Sequence, residues 1–229
     1  MATTLQQLIE SLRTRGLGGT VLRALAYIVD YWFDLKYRTD TFAWVAVERL
    51  GIDAQHQAHA ERYQPSQAVP LKKLLHTLRI PPGKVLVDFG CGKGKVLLIA
   101  ADFGFAEVRG VEVSPVLCEI ARKNCATYRE KTNTKTQFVI VHADAGEYPI
   151  ADDEEVFFLF NPFDAAIVQQ VIQRLTVSLS RRKRKIWILY GQAVHRAAVE
   201  ELLPATARSA EFTFWGQHFM VFVVEPARP

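Results

Sequence analysis

The middle and end of the chain alternate short apolar runs with longer segments that place apolar side chains at helical spacing. Runs of five or six apolar residues fit buried strands, and the segments between them fit helices. The predicted strands are 85–89, 108–113, 137–141, 156–160 and 186–190. The predicted helices are 95–102, 115–129, 165–179 and 193–203. This alternation is typical of βαβ units, so the sequence predicts a parallel sheet covered by helices.

Two further β-like runs, 211–215 and 219–224, follow the last predicted helix. Only Gly216, Gln217 and His218 separate them, which favours a hairpin. The hairpin would place one strand antiparallel in an otherwise parallel sheet.

The N-terminal part has a different pattern. Residues 5–12 and 20–35 predict helices, and a loop over 51–70 leads into a helix at 71–78. The sequence therefore predicts a helical extension and loop over 1–80 in front of a domain over 81–229. Helix 20–35 is expected to face the core, although its aromatic edge would also suit weak contact with a membrane surface or a partner.

Composition narrows the class of protein. The chain has 229 residues, 49% of them hydrophobic, and its longest apolar stretch is shorter than the roughly 20 residues of a membrane span. Three cysteines without a CxxC pair, and no secretion signal, predict a cytoplasmic protein with reduced thiols. The six histidines form no recognised ligand pair, so no metal is expected. A net charge of +4 specifies no partner.

The segment with the clearest chemical content runs from Val85 to Lys95. A predicted strand there leads into Gly90, Gly92 and Gly94 and then directly into a helix. Glycines permit positive φ and a close approach of a ligand to the backbone, and the first N–H groups of the helix point at that ligand. The sequence predicts a loop that cradles a cofactor.

Spacing and charge separate two classes of cofactor. Dinucleotide-binding loops follow GxGxxG, whereas here the glycines follow GxGxG and Lys95 stands where the third dinucleotide glycine would fall. Asp88 would repel a pyrophosphate and favour a ligand with an amino group and a sulfonium, such as S-adenosylmethionine. Glu112 ends the next predicted strand and could accept hydrogen bonds from both hydroxyls of a ribose. A nicotinamide-dependent oxidoreductase is the rival interpretation.

These segments resemble the class I S-adenosylmethionine-dependent methyltransferases, through VDFGCGKG at 87–94, GVEVSP at 110–115, HADAGEYP at 142–149 and LFNPFD at 159–164. The resemblance implies a Rossmann-like three-layer α/β/α sandwich with a seven-stranded, mostly parallel sheet whose last strand is antiparallel. It also implies that Asp144 lies near the adenine amino group. The implied cofactor contacts are Asp88, Gly90, Cys91, Gly92, Gly94, Glu112, Val113, Asp144, Ala145 and Asn161.

The phrase from Arg62 to Ser66 resembles a loop that closes over the cofactor in some bacterial and protein-lysine methyltransferases. That resemblance implies that Tyr63 covers the methionine end and that Ser66 bonds its carboxylate. A packed turn explains the same residues equally well.

Asn161, Pro162 and Phe163 follow the fourth predicted strand, where open α/β folds bind ligands. They resemble the [DNS]PP[YF] motif of amino-group methyltransferases, which implies that they hold the acceptor nitrogen. The second proline is missing, which counts against nucleic-acid bases. An ordinary turn in which Asn161 or Asp164 caps the next helix is the alternative.

The sequence thus predicts methyl transfer to an amino nitrogen, such as that of a protein lysine, by in-line displacement that needs no strong general base. Protein or small-molecule acceptors are favoured over nucleic acid. The basic run 181–185 lacks interleaved aromatic residues and is expected to be a solvated loop. An oxygen or small-molecule acceptor, or binding of the cofactor without catalysis, stays open.

Overall fold

Helices cover both faces of a central sheet. The computed structural model describes residues 18, 21–22, 25–43, 45, 50–52, 66–160 and 164–226. The strands are β1 Val85–Phe89, β2 Glu107–Glu112, β3 Gln137–His142, β4 Glu154–Phe160, β5 Ile186–Gly191, β6 Ala207–Phe214 and β7 Gln217–Val224. The helices are α1 (residues 25–37), α2 Ala68–Leu78, α3 Lys95–Ala101, α4 Pro115–Thr132, α5 Ala165–Arg181 and α6 Arg196–Leu202.

The sheet has the strand order β3-β2-β1-β4-β5-β7-β6. The first five strands are parallel, and β7 runs antiparallel to both β5 and β6. The predicted Rossmann-like α/β fold with an antiparallel last strand is therefore confirmed. The order reverses between β1 and β4, and ligands in such sheets bind beyond the carboxyl ends of the strands at that point.

The core consists of two apolar clusters, one on each face of the sheet. Leu86 and Phe158 belong to the cluster beneath α2 and α3, whereas Val87 and Phe157 belong to the cluster beneath α5. Successive strand residues point to opposite faces, so strands buried on both sides carry nearly continuous apolar runs. This arrangement explains why the sequence shows runs rather than alternation.

Capping side chains mark the starts of two helices, α4 and α5. The Ser114 side chain accepts a hydrogen bond from the Leu117 amide at 3.2 Å, and Asp164 accepts one from the Ile167 amide at 3.1 Å. Each side chain satisfies one of the free amides in the first turn of α4 or α5.

Four predicted bounds are wrong by more than two residues. Helix α2 begins at Ala68 instead of residue 71, and α4 ends at Thr132 instead of residue 129. Helix α6 begins at Arg196 instead of residue 193, because the preceding residues form a turn in which the Gln192 amide donates to the His218 carbonyl at 2.9 Å. Strand β6 begins at Ala207 instead of residue 211. It is an edge strand with most side chains exposed, so its first half carries no apolar pattern.

Helix α1 confirms the helical prediction for the described part of 20–35, whereas the predicted helix 5–12 lies outside the described residues. The buried side chains of α1 include Ala26, Phe33 and Tyr37. The Tyr37 ring centroid lies 4.8 Å from that of Phe33 and 4.6 Å from that of Tyr128 in α4. Helix α1 thus packs on the α/β domain. In the described part of the chain, no helix combines the length and apolar character needed to cross a membrane.

Gly110 in β2 allows the glycine-rich loop to pack tightly on the sheet. A Cβ at this position would lie 2.5 Å from Cys91 Sγ and 2.8 Å from Leu97 Cδ1. We expect Gly110→Ala to lower the free energy of unfolding by about 1–3 kcal/mol, because a packed core must shift to accept the methyl group. Denaturant unfolding measures this change.

Gly18→Ala is the matched control, because no atom lies within 4 Å of a Cβ at that helical position. Equal free energies of unfolding for Gly110→Ala and the unsubstituted protein would show that the loop does not need this close approach.

Candidate cofactor-binding site

The loop between β1 and α3 has three glycines in the left-handed region. The φ angles are 72° at Gly90, 52° at Gly92 and 84° at Gly94. The amides of Gly90 and Cys91 both donate to the Val111 carbonyl, at 2.8 and 3.1 Å, which anchors the loop to β2. Residues with a side chain rarely adopt such positive φ angles, so glycine is needed at these positions for the backbone to follow this path. The loop leaves its backbone close to whatever lies beyond the strand ends.

Asp88 lies one residue before the end of β1 and is 2% exposed. Its Oδ2 atom has no hydrogen-bond partner among the described residues. Burial raises the pKa of this carboxyl well above its usual range, and the charge of Glu112 raises it further. A buried carboxylate without donors is costly. This position therefore favours a ligand that brings a hydrogen-bond donor or a positive charge.

Glu112 ends β2 and is almost as deeply buried as Asp88, but its oxygens have partners. Oε2 accepts from the Gly92 amide and Oε1 from the Ser114 amide, each at 2.9 Å. Burial raises the pKa of Glu112, and the bonds from the amides of Ser114, Gly92 and Val113 oppose that rise. The carboxylate thus joins the glycine-rich loop to the start of α4, a role that the sequence did not indicate.

Asp144 follows β3, the strand that pairs with β2. The register sets Glu112 opposite His142, so Asp144 comes just beyond the carboxyl end of β3, at the same end of the sheet as Glu112. Its Oδ1 accepts from the Gly146 amide at 2.6 Å and closes a turn. Ala145 is buried beneath this turn. Val113, on the β2 side, packs with Leu50, Ile52 and Leu117.

The remaining predicted site residues lie next to or within the segments 53–65 and 161–163, which are outside the described residues. Ser66 is buried two residues before α2 begins, whereas Tyr63 lies outside the described residues. Asn161, Pro162 and Phe163 also lie outside them. The described flanks are the end of β4 and Asp164, the N-cap of α5. Strand β4 pairs with β1, so the flanks lie beside the glycine-rich loop.

Lys93 in the loop and Lys95 at the start of α3 are buried and ion-paired with the N-terminal segment. The ammonium group of Lys93 lies 2.9 and 3.0 Å from the two carboxylate oxygens of Asp40. That of Lys95 lies 3.1 Å from Asp30 Oδ1. Both lysine side chains are only 2% exposed, as a charge can be when it is paired.

Asp30 connects three elements. It is buried in α1, pairs with Lys95 and accepts a hydrogen bond from the Ala68 amide at the start of α2, at 3.0 Å. Burial raises the pKa of Asp30 and lowers that of Lys95, and in each case the partner's charge opposes the shift. Asn124 of α4 supports the other pair, Lys93–Asp40, because its side-chain amide donates to the backbone carbonyls of both residues.

The sequence interpretation missed these pairs, although a signal was available. Asp30 stands among apolar residues in the predicted helix 20–35, which is expected to face the core, and a buried acid requires a partner. The pairing of Asp40 with Lys93 was not evident, because the two residues are 53 positions apart in the sequence.

The three cysteines are buried and free of disulfides. Burial raises the pKa of Cys118 to about 11 and that of Cys125 to about 12, and it raises the pKa of Cys91 well above its usual range. Thiols with such pKa values stay protonated at neutral pH, so these side chains act as small apolar groups.

The basic run is exposed over residues 181–183, as in the solvated loop that the sequence predicts, but not at Arg184. Arg184 is buried and donates to the Glu154 carbonyl at 2.7 Å and to Ser178 Oγ at 2.9 Å. Arg181 pairs with Asp152 at 3.0 Å and Lys185 with Glu225 at 2.6 Å. Within the described part of the chain, no group of three or more histidine, cysteine, aspartate or glutamate side chains could hold a metal ion.

Comparisons with known proteins agree with this geometry. Residues 86–181 match the family model of the methyltransferase domain. An O-methyltransferase from Pyrenophora dematioidea is 28% identical over 124 residues, 54% of this chain and 37% of that protein. The ribosomal protein L11 methyltransferase of Ralstonia pickettii (strain 12J) is 24% identical over 136 residues, 59% of this chain and 41% of that protein.

The chain thus spans about two fifths of the length of these curated relatives. Among solved structures, an RNA methyltransferase from Salinibacter ruber in complex with S-adenosyl-L-homocysteine superimposes with a TM-score of 0.51 at 18% identity. The match covers 72% of this chain and 97% of that one. At this identity the likeness concerns the fold.

The Asp30–Lys95 pair generates a test of how the N-terminal segment supports the loop. Asp30→Asn keeps an acceptor for the Ala68 amide but leaves the Lys95 charge without a counterion. We expect the free energy of unfolding to fall by about 3–5 kcal/mol, because an uncompensated buried charge is expensive. Adding Lys95→Met to Asp30→Asn should recover most of this loss.

Glu200→Gln serves as the control, because it breaks only the half-exposed pair with Arg196. Exposed pairs contribute about 0–1 kcal/mol. If Asp30→Asn and Glu200→Gln behave alike in denaturant unfolding, the buried pair does not hold the loop.

Proposed function

Because the chain belongs to the class I S-adenosylmethionine-dependent methyltransferase superfamily, we propose that it transfers a methyl group from S-adenosylmethionine to an amino nitrogen. The cofactor assignment depends on the buried Asp88 carboxylate, whose Oδ2 atom has no hydrogen-bond partner among the described residues, and on the three glycines with positive φ that follow it. The acceptor assignment depends on the Asn161-Pro162-Phe163 motif.

The residues of the site fit this cofactor. S-Adenosylmethionine carries an ammonium, a sulfonium and two ribose hydroxyls, and it supplies an activated methyl group. Asp88 would pair with positive charge at the methionine end, which restores the ionised form of the carboxylate. The same carboxylate would repel the pyrophosphate of a nicotinamide cofactor, so the oxidoreductase alternative is disfavoured.

Glu112 would hold the ribose, with a constraint that follows from its present bonds. A carboxylate accepts about four hydrogen bonds, and the amides of Gly92 and Ser114 already donate to it. About two positions stay open, so contact with both ribose hydroxyls would use the whole remaining capacity of the carboxylate. Val113, Asp144 and Ala145 would line the adenine side, and Ser66 with Tyr63 the methionine side.

The amino-nitrogen acceptor has support from the sequence around the carboxyl end of β4. Asn161, Pro162 and Phe163 follow the strand that pairs with β1, so a nitrogen held by them would lie on the side of the glycine-rich loop. A lysine ammonium, with a pKa of about 10.4, must lose a proton before it can attack, and an apolar pocket favours that loss. The match to an L11 methyltransferase supports a protein acceptor.

An oxygen acceptor is the second candidate, because the relative from Pyrenophora dematioidea is an O-methyltransferase. Both chemistries use the same cofactor site, so the acceptor motif and the methylated product distinguish them.

The cofactor assignment predicts opposite effects of Asp88→Asn on binding and on stability. We expect the affinity for S-adenosylhomocysteine to fall at least tenfold, because the ligand ammonium loses its charged partner, as calorimetric titration would show. The ligand-free variant should be more stable at neutral pH by about 1–3 kcal/mol, because a buried carboxylate without donors is removed.

The raised pKa of Asp88 determines how this stability difference depends on pH. Ionisation in the folded protein is disfavoured, so the destabilisation of the unsubstituted protein develops as pH rises above the usual carboxyl pKa and is complete above the folded one. The advantage of Asn should therefore vanish near pH 3, the lower end of the usual carboxyl range. The control Glu119→Gln, at an exposed position, should change neither the affinity for S-adenosylhomocysteine nor the free energy of unfolding. Unaltered affinity in Asp88→Asn would contradict the assignment.

Transfer itself is tested with methyl-labelled cofactor. The purified chain is incubated with separate protein, RNA and small-molecule fractions, and labelled products are hydrolysed and identified. We expect label on amino nitrogen in the protein fraction, and we expect Asn161→Ala to lower it at least tenfold while Gln173→Ala, an exposed amide on α5, leaves it unchanged.

Label in an ether or ester would assign the oxygen acceptor instead. Binding of S-adenosylhomocysteine without label in any fraction would indicate a noncatalytic binding protein and overturn the proposed activity.

A further inference from the structure

Helix α1 and the residues just before it expose an unusual number of large apolar side chains. In the described part of the chain, ten large hydrophobic residues are exposed, and seven of them lie between residues 21 and 35. They are Val21, Leu22, Leu25, Ile28, Tyr31, Trp32 and Leu35, and the most exposed is Trp32 at 63%. We call them the outer face. Such a concentration on one segment marks an interaction surface, whereas isolated exposed apolar residues do not.

The outer face covers half of a helix. With 3.6 residues per turn, Val21, Leu25, Ile28, Trp32 and Leu35 fall within an arc of about 80°, and Leu22 and Tyr31 widen it to about 180°. The opposite half, with Ala26, Asp30, Phe33 and Tyr37, is buried against the domain. An exposed apolar face of this width on a helix is normally covered. The domain covers only the opposite half of the helix, so the outer face needs a second covering.

The charges at the border of this face have one sign. Lys36 and Arg38 are exposed at its C-terminal end. The two acidic residues of α1 are directed elsewhere. Asp30 is buried against Lys95, and Asp34 accepts hydrogen bonds from Thr39, Thr41 and Phe42. The surface therefore offers apolar and cationic groups together.

We propose that the outer face docks on an anionic lipid surface. The aliphatic side chains would enter the boundary between headgroups and acyl chains, while Tyr31 and Trp32 lie at the level of the headgroups, where such aromatic side chains are favoured. Lys36 and Arg38 would contact the lipid charges. The helix would lie on the bilayer without crossing it, in agreement with the lack of a spanning helix among the described residues.

The width and charge of the face argue against a second copy of this chain as its covering. A two-helix seam uses a narrow apolar stripe, flanked by residues of opposite charge that pair across the interface. Here the arc is about twice as wide as such a stripe, and Lys36 and Arg38 provide only like charges at its edge. A flat anionic surface matches both properties. This docking does not depend on the proposed methyl transfer.

The test is sedimentation of the full chain with lipid vesicles. One set contains phosphatidylcholine alone, and the other contains roughly one third phosphatidylserine, enough to give a negative surface potential. We expect the chain to sediment with the anionic vesicles, and added salt should weaken binding because it screens the cationic border. The double variant Ile28→Ser/Trp32→Ser should bind at least tenfold more weakly.

The matched control is Val177→Ser/Val194→Ser, which removes two equally exposed apolar side chains remote in sequence from α1. This control should bind vesicles like the unsubstituted protein. Retained affinity for S-adenosylhomocysteine, or an unchanged unfolding transition if no such affinity exists, would show that the Ile28/Trp32 variant is folded.

Three results would overturn the proposal. The first is the failure of the unsubstituted chain to bind anionic vesicles, and the second is equal binding by the Ile28/Trp32 variant. The third is a dimer in equilibrium sedimentation that the Ile28/Trp32 variant dissociates while vesicle binding is absent, since a second copy would then cover the outer face.

Discussion

The site depends on how the buried charges around one glycine-rich loop are balanced. The two lysines of the loop are neutralised from outside the α/β domain, Lys93 by Asp40 and Lys95 by Asp30. Among the described residues, no lysine or arginine forms an ion pair with the acids at the ends of β1 and β2, and Asp88 Oδ2 lacks even a hydrogen bond. Balanced charges hold the loop, and the unbalanced ones are left for a ligand. This division explains why α1 and the segment after it belong to the site although they provide no predicted cofactor contact.

The sequence predicted the parallel core well because burial on both sides makes each strand a continuous apolar run. Strand β1 was predicted at the bounds it has, and most other strand bounds differ by one or two residues. The prediction was poor where tertiary structure decides the conformation. Strand β6 lies at an exposed edge and carries little apolar signal, and the start of α6 depends on a turn bonded to residue 218.

The candidate site shows the same limit. Glycine spacing and strand-end acids are local patterns, so the cofactor class could be predicted from the residues between Asp88 and Glu112. The pairing of Lys95 with Asp30 could not be predicted, because it joins elements far apart in the sequence. The bonds from loop amides to Glu112 were also hidden, since they depend on how closely the loop approaches β2. Sequence indicates which groups a site contains, and packing decides which of them are already satisfied.

The position of β7 has a consequence for how the chain is made. This strand is the last in sequence, yet it lies between β5 and β6 and bonds to both. A ribosome therefore releases β6 before the strand that attaches it to the sheet exists. Until β7 emerges, the buried edge of β5 has no neighbour on that side, and a nascent chain would present it to chaperones or to other chains. The sheet is complete only when β7 has followed β6 out of the ribosome, and the β6–β7 hairpin closes it.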